Sequence, residues 1–177
     1  MGSQNTEFAK YIVNLFNDVP GCIYETLIVV FCVGLTVLLI TKGIKKGGRY
    51  FAMLLLAEYI FLLYCTTVAF RLRQPYRVYK LQLFYSYSHD SAKHLLLIDN
   101  VMNIIVFIPV GVLMSLCWKR FQWWKILIIG CSLSLSIESL QYILIRGNAN
   151  VDDIIHNTLG CMLGYGLYKA GIILCKR

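Results

Sequence analysis

The sequence contains few charged residues: they make up only 15% of its 177 positions, whereas a typical soluble domain has about 25%. It has nine acidic residues and three prolines. Hydrophobic residues reach 58%, above the roughly 45–50% of soluble domains. This balance excludes an ordinary soluble domain. It predicts a single-domain, all-α protein, a polytopic membrane helical bundle.

Several motifs that would define a catalytic or metal site are also missing from the sequence. No C-x-x-C, G-x-S-x-G, H-E-x-x-H, P-loop or dinucleotide-binding pattern occurs. The three histidines, His89, His94 and His156, have no spacing typical of a zinc site, so we predict neither a metal nor a cofactor. The net charge is +8, and most of the charged residues lie in loops between apolar runs. That placement indicates membrane topology and contact with anionic lipid, and no nucleic-acid partner is predicted.

What the sequence does contain is a series of apolar runs, each close to the ~20 residues that cross ~30 Å of hydrocarbon. They predict about five transmembrane spans, at 22–41, 50–70, 95–117, 126–145 and 154–174. Together these spans form one transmembrane domain over residues 22–177. Residues 1–21 predict an N-terminal amphipathic helix on the membrane surface, because apolar residues recur there at helical spacing. Packing of this helix against the end of the bundle is the alternative.

The distribution of Lys and Arg predicts the orientation of the spans. Placing the N-terminus outside and the C-terminus in the cytoplasm puts the dense basic clusters at 42–49 and 119–125 on the inner side. Arg71, the loop 72–94 and the stretch 138–153 then share one extracytoplasmic face. The loop is rich in aromatic residues, so it either lies in the membrane interface or forms a lid over the mouth of the bundle.

Glu138 is the most informative single residue. It lies about eight residues before Arg146, which places it ~12 Å below the end of its span. An ionised carboxylate at such a depth costs about 2.5–3.5 kcal/mol unless it is paired or hydrated, and acids in membrane spans usually mark functional sites. Gln141 lies on the same helical face. A purely structural ion pair of Glu138 with Arg71 or Arg146 is the alternative.

The fifth predicted span begins with two acids, where the helix dipole favours negative charge. Asp152 and Asp153 are therefore candidates for ligand binding, although simple capping explains Asp152 equally well. Asn157 follows on the same helical stripe. Gly160 and Gly164 form a G-x-x-x-G pattern, which is typical of close helix packing rather than of a binding site.

Two further candidates come from other spans. Asn103 is placed to hydrogen-bond to Glu138 or Gln141, and Arg71 is suited to bind a phosphate or carboxylate in bidentate fashion. Glu138 and Asp153 are the candidate catalytic residues. The predicted ligand-binding residues are Arg71, Asn103, Glu138, Gln141, Arg146, Asp152, Asp153 and Asn157.

Three stretches, taken in order, resemble the VanZ-like membrane family. They are Asn103 to Gly111 in the third span, Glu138 with Gln141 in the fourth, and RGNANVDDIIHNTLG from Arg146 to Gly160. The resemblance covers residues from about 60 to 170. It implies a multi-pass protein of the bacterial cytoplasmic (inner) membrane, in a family whose named member is associated with resistance to teicoplanin.

One position departs from that family. Relatives often carry an acid where this chain has Asn150. The departure removes one charge from the joint between the fourth and fifth spans. It argues against a ligand-binding or catalytic role for Asn150.

These observations predict a polar pocket that opens outward and binds an amphiphile at the outer leaflet. The expected partner is a membrane lipid, a lipid-linked cell-wall precursor or a lipid-tailed glycopeptide antibiotic, with a role in teicoplanin resistance or envelope homeostasis. The alternative is an intramembrane acid/base hydrolase or transferase that uses Glu138 and Asp153 on a lipid-linked substrate. No nucleophile motif supports the enzyme, so binding is the preferred interpretation, and a structural or assembly role is a third.

Overall fold

The computed structural model describes residues 19–84, 93–118 and 122–175, and it leaves the side chains of 37–47 and 93–96 undescribed. The described chain is mostly helical. Its elements in order are α1 (Gly21–Tyr64), a π-helical segment (Cys65–Ala69), β1 (Val78–Lys80), α2 (Lys93–Cys117), α3 (Trp123–Leu144), β2 (Asn148–Asn150) and α4 (Val151–Leu174). Nearly all of the predicted amphipathic helix, residues 1–21, lies outside the described residues.

The first helix, α1, doubles back on itself. It has 44 residues, and Phe31 and Phe51 would be ~30 Å apart along a straight helix. Their ring centroids are instead 5.5 Å apart, and a Cβ on Gly34 would lie 2.8 Å from Leu54. The chain therefore reverses between these contacts, where the basic turn at 42–49 was predicted. The predicted break between the first two spans is replaced by backbone that stays helical through the reversal.

Within the described residues, three helical stretches are long and apolar enough to cross a membrane. They are Gly48–Ala69, Leu97–Cys117 and Trp123–Leu144. Gly21–Thr36 is a shorter apolar helix. The three stretches match the predicted second, third and fourth spans and support a membrane protein. The total of five spans stays a prediction, because the fifth predicted span is helical in α4 but falls outside this set.

Helices α2 and α4 pack with their backbones almost in contact. A Cβ on Gly160 would overlap the carbonyl oxygen of Ile104, and a Cβ on Gly164 would overlap that of Ile108. The residue numbers of the contacting positions increase in the same direction on both helices, so the helices run parallel. The packing role predicted for the G-x-x-x-G pattern is confirmed.

A short parallel ladder, which the sequence did not predict, joins two loops at one end of the bundle. Strand β1 pairs with β2, with Val78 opposite Asn148 and Lys80 opposite Asn150. The apolar core lies among the helices, with Phe107, Val110 and Ile137 nearly inaccessible. The ladder therefore brings the loop after α1 onto the joint between α3 and α4.

Candidate functional site

The end of the first helix is held by side chains from α3 and the joint that follows it. Gln141 Nε2 donates a hydrogen bond to the Thr67 carbonyl oxygen at 3.0 Å, and Arg146 Nη1 donates to that of Val68 at 3.4 Å. Carbonyls at a helix end lack partners within the helix, and a buried one is costly when unpaired. Gln141 and Arg146, both predicted to bind ligand, therefore satisfy the backbone of the π-helical segment.

The joint after α3 has an unusual backbone. Ile145 has φ 57°, and Gly147 has φ 115°. A left-handed conformation is rare for a β-branched residue, and such strain is common at functional sites. The Gln74 N–H donates to the Ile145 carbonyl oxygen at 2.8 Å. A Cβ on Gly147 would lie 3.1 Å from the guanidinium carbon of Arg71, so Arg71 rests directly against the joint.

The loop 72–84 covers this joint. The Tyr79 ring meets the Tyr142 ring edge-on with centroids 6.2 Å apart, and the Arg77 guanidinium lies 5.5 Å from the Tyr142 centroid. The loop is tied down further along, where the Phe84 N–H donates to Asp152 Oδ1 at 2.7 Å. The lid role stays a prediction, and residues 85–92 of the predicted loop lie outside the described residues.

Asn150 connects the acidic residues of the joint to one another. Its backbone N–H donates to Glu138 Oε2 at 2.9 Å, and its Nδ2 donates to Asp153 Oδ1 at 3.0 Å. Its Oδ1 accepts from the Asp152 N–H at 3.2 Å, which caps the start of α4. The resemblance argued against a ligand-binding or catalytic role for Asn150. Its position shows that it orients two of the predicted carboxylates.

The cluster carries charges of both signs. The side chain of Glu138 is 6% exposed, and that of Asp152 is 0% exposed. Asp153 lies close enough to Asp99 and Asp152 for their negative charges to repel. Arg71 lies close enough for its positive charge to act on both Glu138 and Asp153, although on Glu138 it acts more weakly than the negative charge of Asp153. Arg71 therefore compensates part of the negative charge at the joint.

Two predicted residues lie apart from the joint. Asn157 is buried on α4, where its Nδ2 donates to Ser134 Oγ at 2.8 Å, so it ties α4 to α3. Asn103 is half-buried on α2. In the described part of the chain it is not hydrogen-bonded to Glu138 or Gln141, so that expectation is wrong.

A cleft of about 540 Å³ opens beside Glu138. We call it the Glu138 cleft; it is lined mainly by Tyr79, Leu81, Leu135, Glu138, Tyr142 and Ile154, and completed by Ser139 and residues 149–151. Among these lining residues Glu138 is the only carboxylate, and none is Lys or Arg. The volume falls within the range of small-molecule sites. Of the eight predicted ligand-binding residues, only Glu138 lines the cleft.

A second cleft, of about 350 Å³, lies between the two arms of α1. Glu58 lines it together with Tyr24, Phe31 and other apolar residues. Glu58 Oε1 is buried without a hydrogen-bond partner among the described residues. Glu58, which is not one of the predicted site residues, therefore belongs to a cleft separate from the joint.

The residues that build the site lie within a part of the chain that matches a known protein family. The VanZ/LLP1 family model matches residues 49–174, a stretch that includes every residue of the Glu138 cleft. The chain belongs to the VanZ/LLP1 family. The family resemblance expected from the sequence is thereby confirmed, and the VanZ/LLP1 region begins in the second arm of α1.

One relative from the curated proteins is Protein VanZ of Enterococcus faecium. It is 36% identical to this VanZ/LLP1 chain over 70 residues, which cover 40% of this chain and 44% of that protein. The match thus spans less than half the length of the relative. No solved structure matches the chain. The bacterial relative and the three apolar helices fit a bacterial membrane protein.

Asp99 and Asn150 belong to the site but were not among the predicted residues, although the sequence carries a signal for each. Asp99 precedes Asn103 by one helical turn, so it lies on a face that already carried a candidate. Asn150 directly precedes a helix that opens with two acids, which is a typical N-cap pattern. The contact of Tyr79 with Tyr142 left no comparable signal, because it depends on the pairing of two strands about 70 residues apart.

Proposed function

We propose that this protein binds an amphiphile in the Glu138 cleft at the outer leaflet of the bacterial cytoplasmic membrane. The observation that carries the proposal is a carboxylate residue only 6% exposed, in a cleft whose other lining residues are apolar or aromatic except for Ser139 and Asn150. Small-molecule sites typically combine apolar walls with a few fixed polar groups. An amphiphile matches both parts of this surface.

The apolar walls of the cleft reach the surface of the molecule. Leu81 is 72% exposed and Leu135 is 53% exposed. Burial of such side chains against an alkyl or prenyl chain stabilises a complex by about 25 cal/mol per Å² of apolar surface removed from water. The ligand's chain thus runs along Leu81 and Leu135, and its polar end meets Glu138.

The candidate ligands are a lipid-linked cell-wall precursor and a lipid-tailed glycopeptide antibiotic. Either one connects the cleft to teicoplanin resistance or to envelope homeostasis, the roles expected from the family resemblance. In this proposal Glu138 touches the ligand, and Asp153 and Asn150 orient Glu138. Arg71, which is exposed beside the joint, is available for a phosphate or carboxylate outside the cleft.

The first prediction concerns antibiotic susceptibility. Expression of the chain in a teicoplanin-sensitive Gram-positive host should raise the minimum inhibitory concentration, and Glu138→Gln should abolish that increase. Glu58→Gln is the matched control, because it neutralises an acid in the other cleft. Equal resistance from all three proteins, at equal membrane levels, argues against a role for the Glu138 cleft.

One observation favours a second candidate, an intramembrane hydrolase or transferase. Asn150 holds Glu138 and Asp153 side by side, as in sites where one carboxyl group acts as general acid and another as base. The test incubates the purified protein with radiolabelled lipid-linked cell-wall precursors. If Glu138→Gln keeps binding but loses turnover, the protein is an enzyme. If the wild type does not turn over the precursors, the enzyme is excluded and the proposed binding function is retained.

A further inference from the structure

We propose that the Glu138 cleft selects amphiphiles whose polar end carries an ammonium group. The inference rests on the proposed function and narrows it to one ligand chemistry. It follows from the charge of the groups that line the cleft, from the hydrogen bonding of Glu138 and from the two tyrosine rings at its edge.

Glu138 has unused hydrogen-bond acceptor capacity. Within the described structure its only hydrogen bond is the one that its Oε2 accepts from the Asn150 N–H. A carboxylate accepts up to about four hydrogen bonds, so most of its capacity remains for a ligand. An ammonium group donates three hydrogen bonds and carries the opposite charge. Of the common polar groups on lipids, it therefore complements Glu138 best.

The positive side chains of Arg71 and Arg77 lie near the cleft but do not line it. None of the lining residues given by the described structure is Lys or Arg. Arg71, which attracts Glu138 and Asp153, is not among the residues that line the cleft. A charged carboxylate in a poorly hydrated site is costly without a partner of opposite charge. The ligand supplies that charge from inside the cleft.

The same charge distribution disfavours an anionic head group. A phosphate in the cleft would face Glu138, with Asp153 behind it, at a low local dielectric where like charges repel strongly. The phosphates of a lipid-linked precursor would have to remain outside, beside Arg71. An anionic head group therefore binds more weakly inside the cleft than an ammonium group on the same chain.

The aromatic residues give independent support. The Tyr142 ring already attracts one cation, since the Arg77 guanidinium lies 5.5 Å from its centroid. Tyr79 contacts Tyr142 and also lines the cleft, so its ring is a second aromatic surface for a bound cation. The negative face of a tyrosine ring attracts a cation bound next to it. The ammonium thus lies between Glu138 and these rings, and the chain extends along Leu81.

An ammonium-bearing amphiphile has two sources. One is an aminophospholipid of the bilayer, and the other is a lipid-tailed antibiotic with a free amine. The chemistry at Glu138 is the same for both, so selectivity for the head group is measured first and the source second.

The test uses three photoreactive probes with the same diazirine-bearing dodecyl chain, ending in a primary ammonium, an acetamide or a phosphate. The full chain is purified in uncharged maltoside micelles, and labelling is quantified by mass spectrometry on the peptide that contains Leu135–Tyr142. We expect the ammonium probe to label this peptide about tenfold more than the acetamide probe, because hydrogen bonds to charged groups are stronger. The phosphate probe should label it least.

Three variants identify the group responsible. Glu138→Gln should reduce the ammonium-to-acetamide ratio to about one, whereas Glu138→Asp should keep it above one. Glu58→Gln, which removes an acid from the other cleft, should leave the ratio unchanged. Size-exclusion profile and melting temperature show whether each variant is folded. If Glu138→Gln is misfolded, the ammonium-to-acetamide ratios of the wild type and of Glu138→Asp still show whether the cleft prefers the ammonium group.

The outcomes separate this inference from the proposed function. Equal labelling by all three probes, or preference for the phosphate, overturns the ammonium inference but keeps the amphiphile site. No labelling of the peptide by any probe overturns the proposed function as well. Competition by phosphatidylethanolamine or by teicoplanin, but not by their N-acetylated forms, supports the inference and identifies the source. Equal competition by the acetylated forms overturns it.

Discussion

At the scale of single residues, Glu138 and Asn150 show what the sequence reveals and what it leaves hidden. Glu138 could be selected from its depth in an apolar run. Asn150 was set aside because it lacks a charge, yet its neutral amide donates to Asp153 while its backbone donates to Glu138. An acid in place of Asn150 has no amide N–H to donate to Asp153. The chemistry of this position depends on its neighbours, which a sequence does not display.

Gln141 and Arg146 were predicted to bind ligand, a role that stays a prediction, and their backbone partners were not foreseen. Both donate to carbonyls of the π-helical segment. A π-helical turn changes the hydrogen-bond register of a helix and often occurs at functional sites. The side-chain pattern of the sequence gives no sign of that change.

Gly147 lies directly against the Arg71 guanidinium. It has φ 115°, and a Cβ there would lie 3.1 Å from the Arg71 guanidinium. Gly147→Ala should lower the stability by about 1–3 kcal/mol, because such backbone strains any other residue. It should also displace Arg71.

The measurement is the melting temperature of the purified protein in detergent, with Gly171→Ala as control. Gly171 lies in α4 with nothing within 4 Å of a Cβ, so its substitution should leave stability unchanged or slightly raised. If Gly147→Ala melts at the wild-type temperature, the conformation described for the joint is incorrect.

At the scale of elements, apolar runs and the G-x-x-x-G pattern were reliable guides. The predicted second, third and fourth spans correspond to helical stretches long enough to cross a membrane. The reversal of α1 was expected from the basic cluster at 42–49, but its helical backbone was not. Strand β1 could not be predicted, because three residues are too few to show an alternating pattern.

The parallel packing of α2 and α4 makes a prediction for Gly160. Its Cβ position coincides with the Ile104 carbonyl oxygen, so Gly160→Ala should force the two helices apart. Overpacking of this kind typically costs about 1–3 kcal/mol. Gly166→Ala is the matched control on the same helix, where nothing lies within 4 Å of a Cβ.

Thermal unfolding and teicoplanin resistance should be measured together for these variants. We expect Gly160→Ala to lose both and Gly166→Ala to keep both. A stable Gly160→Ala protein would contradict the close approach of α2 and α4. If Gly160→Ala abolished resistance while Asp153→Asn kept it, the packing of the helices would matter more than the acidic cluster.

At the scale of the whole molecule, the central claim is that two distant parts of the chain build one site. The loop 72–84 and the joint 145–153 meet through the ladder of β1 and β2, and the Glu138 cleft lies where they meet. The sequence predicted that both parts share one face of the bundle. It could not predict their direct contact, because that contact depends on the pairing of two strands of only three residues each, and the Asn-Ala-Asn of β2 has weak strand propensity.

The most direct test is disulfide formation between Val78→Cys and Asn148→Cys, which are partners across the ladder. Both cysteine pairs are introduced into a protein in which the exposed Cys22, Cys32 and Cys175 are replaced with serine. The control pairs Val78→Cys with Gly166→Cys, about 22 Å further along α4 from Val151. We expect the cysteines at positions 78 and 148 to crosslink rapidly in membranes under mild oxidation, and those at positions 78 and 166 not to crosslink. No crosslink between 78 and 148, or equal crosslinking of both pairs, would contradict the central claim.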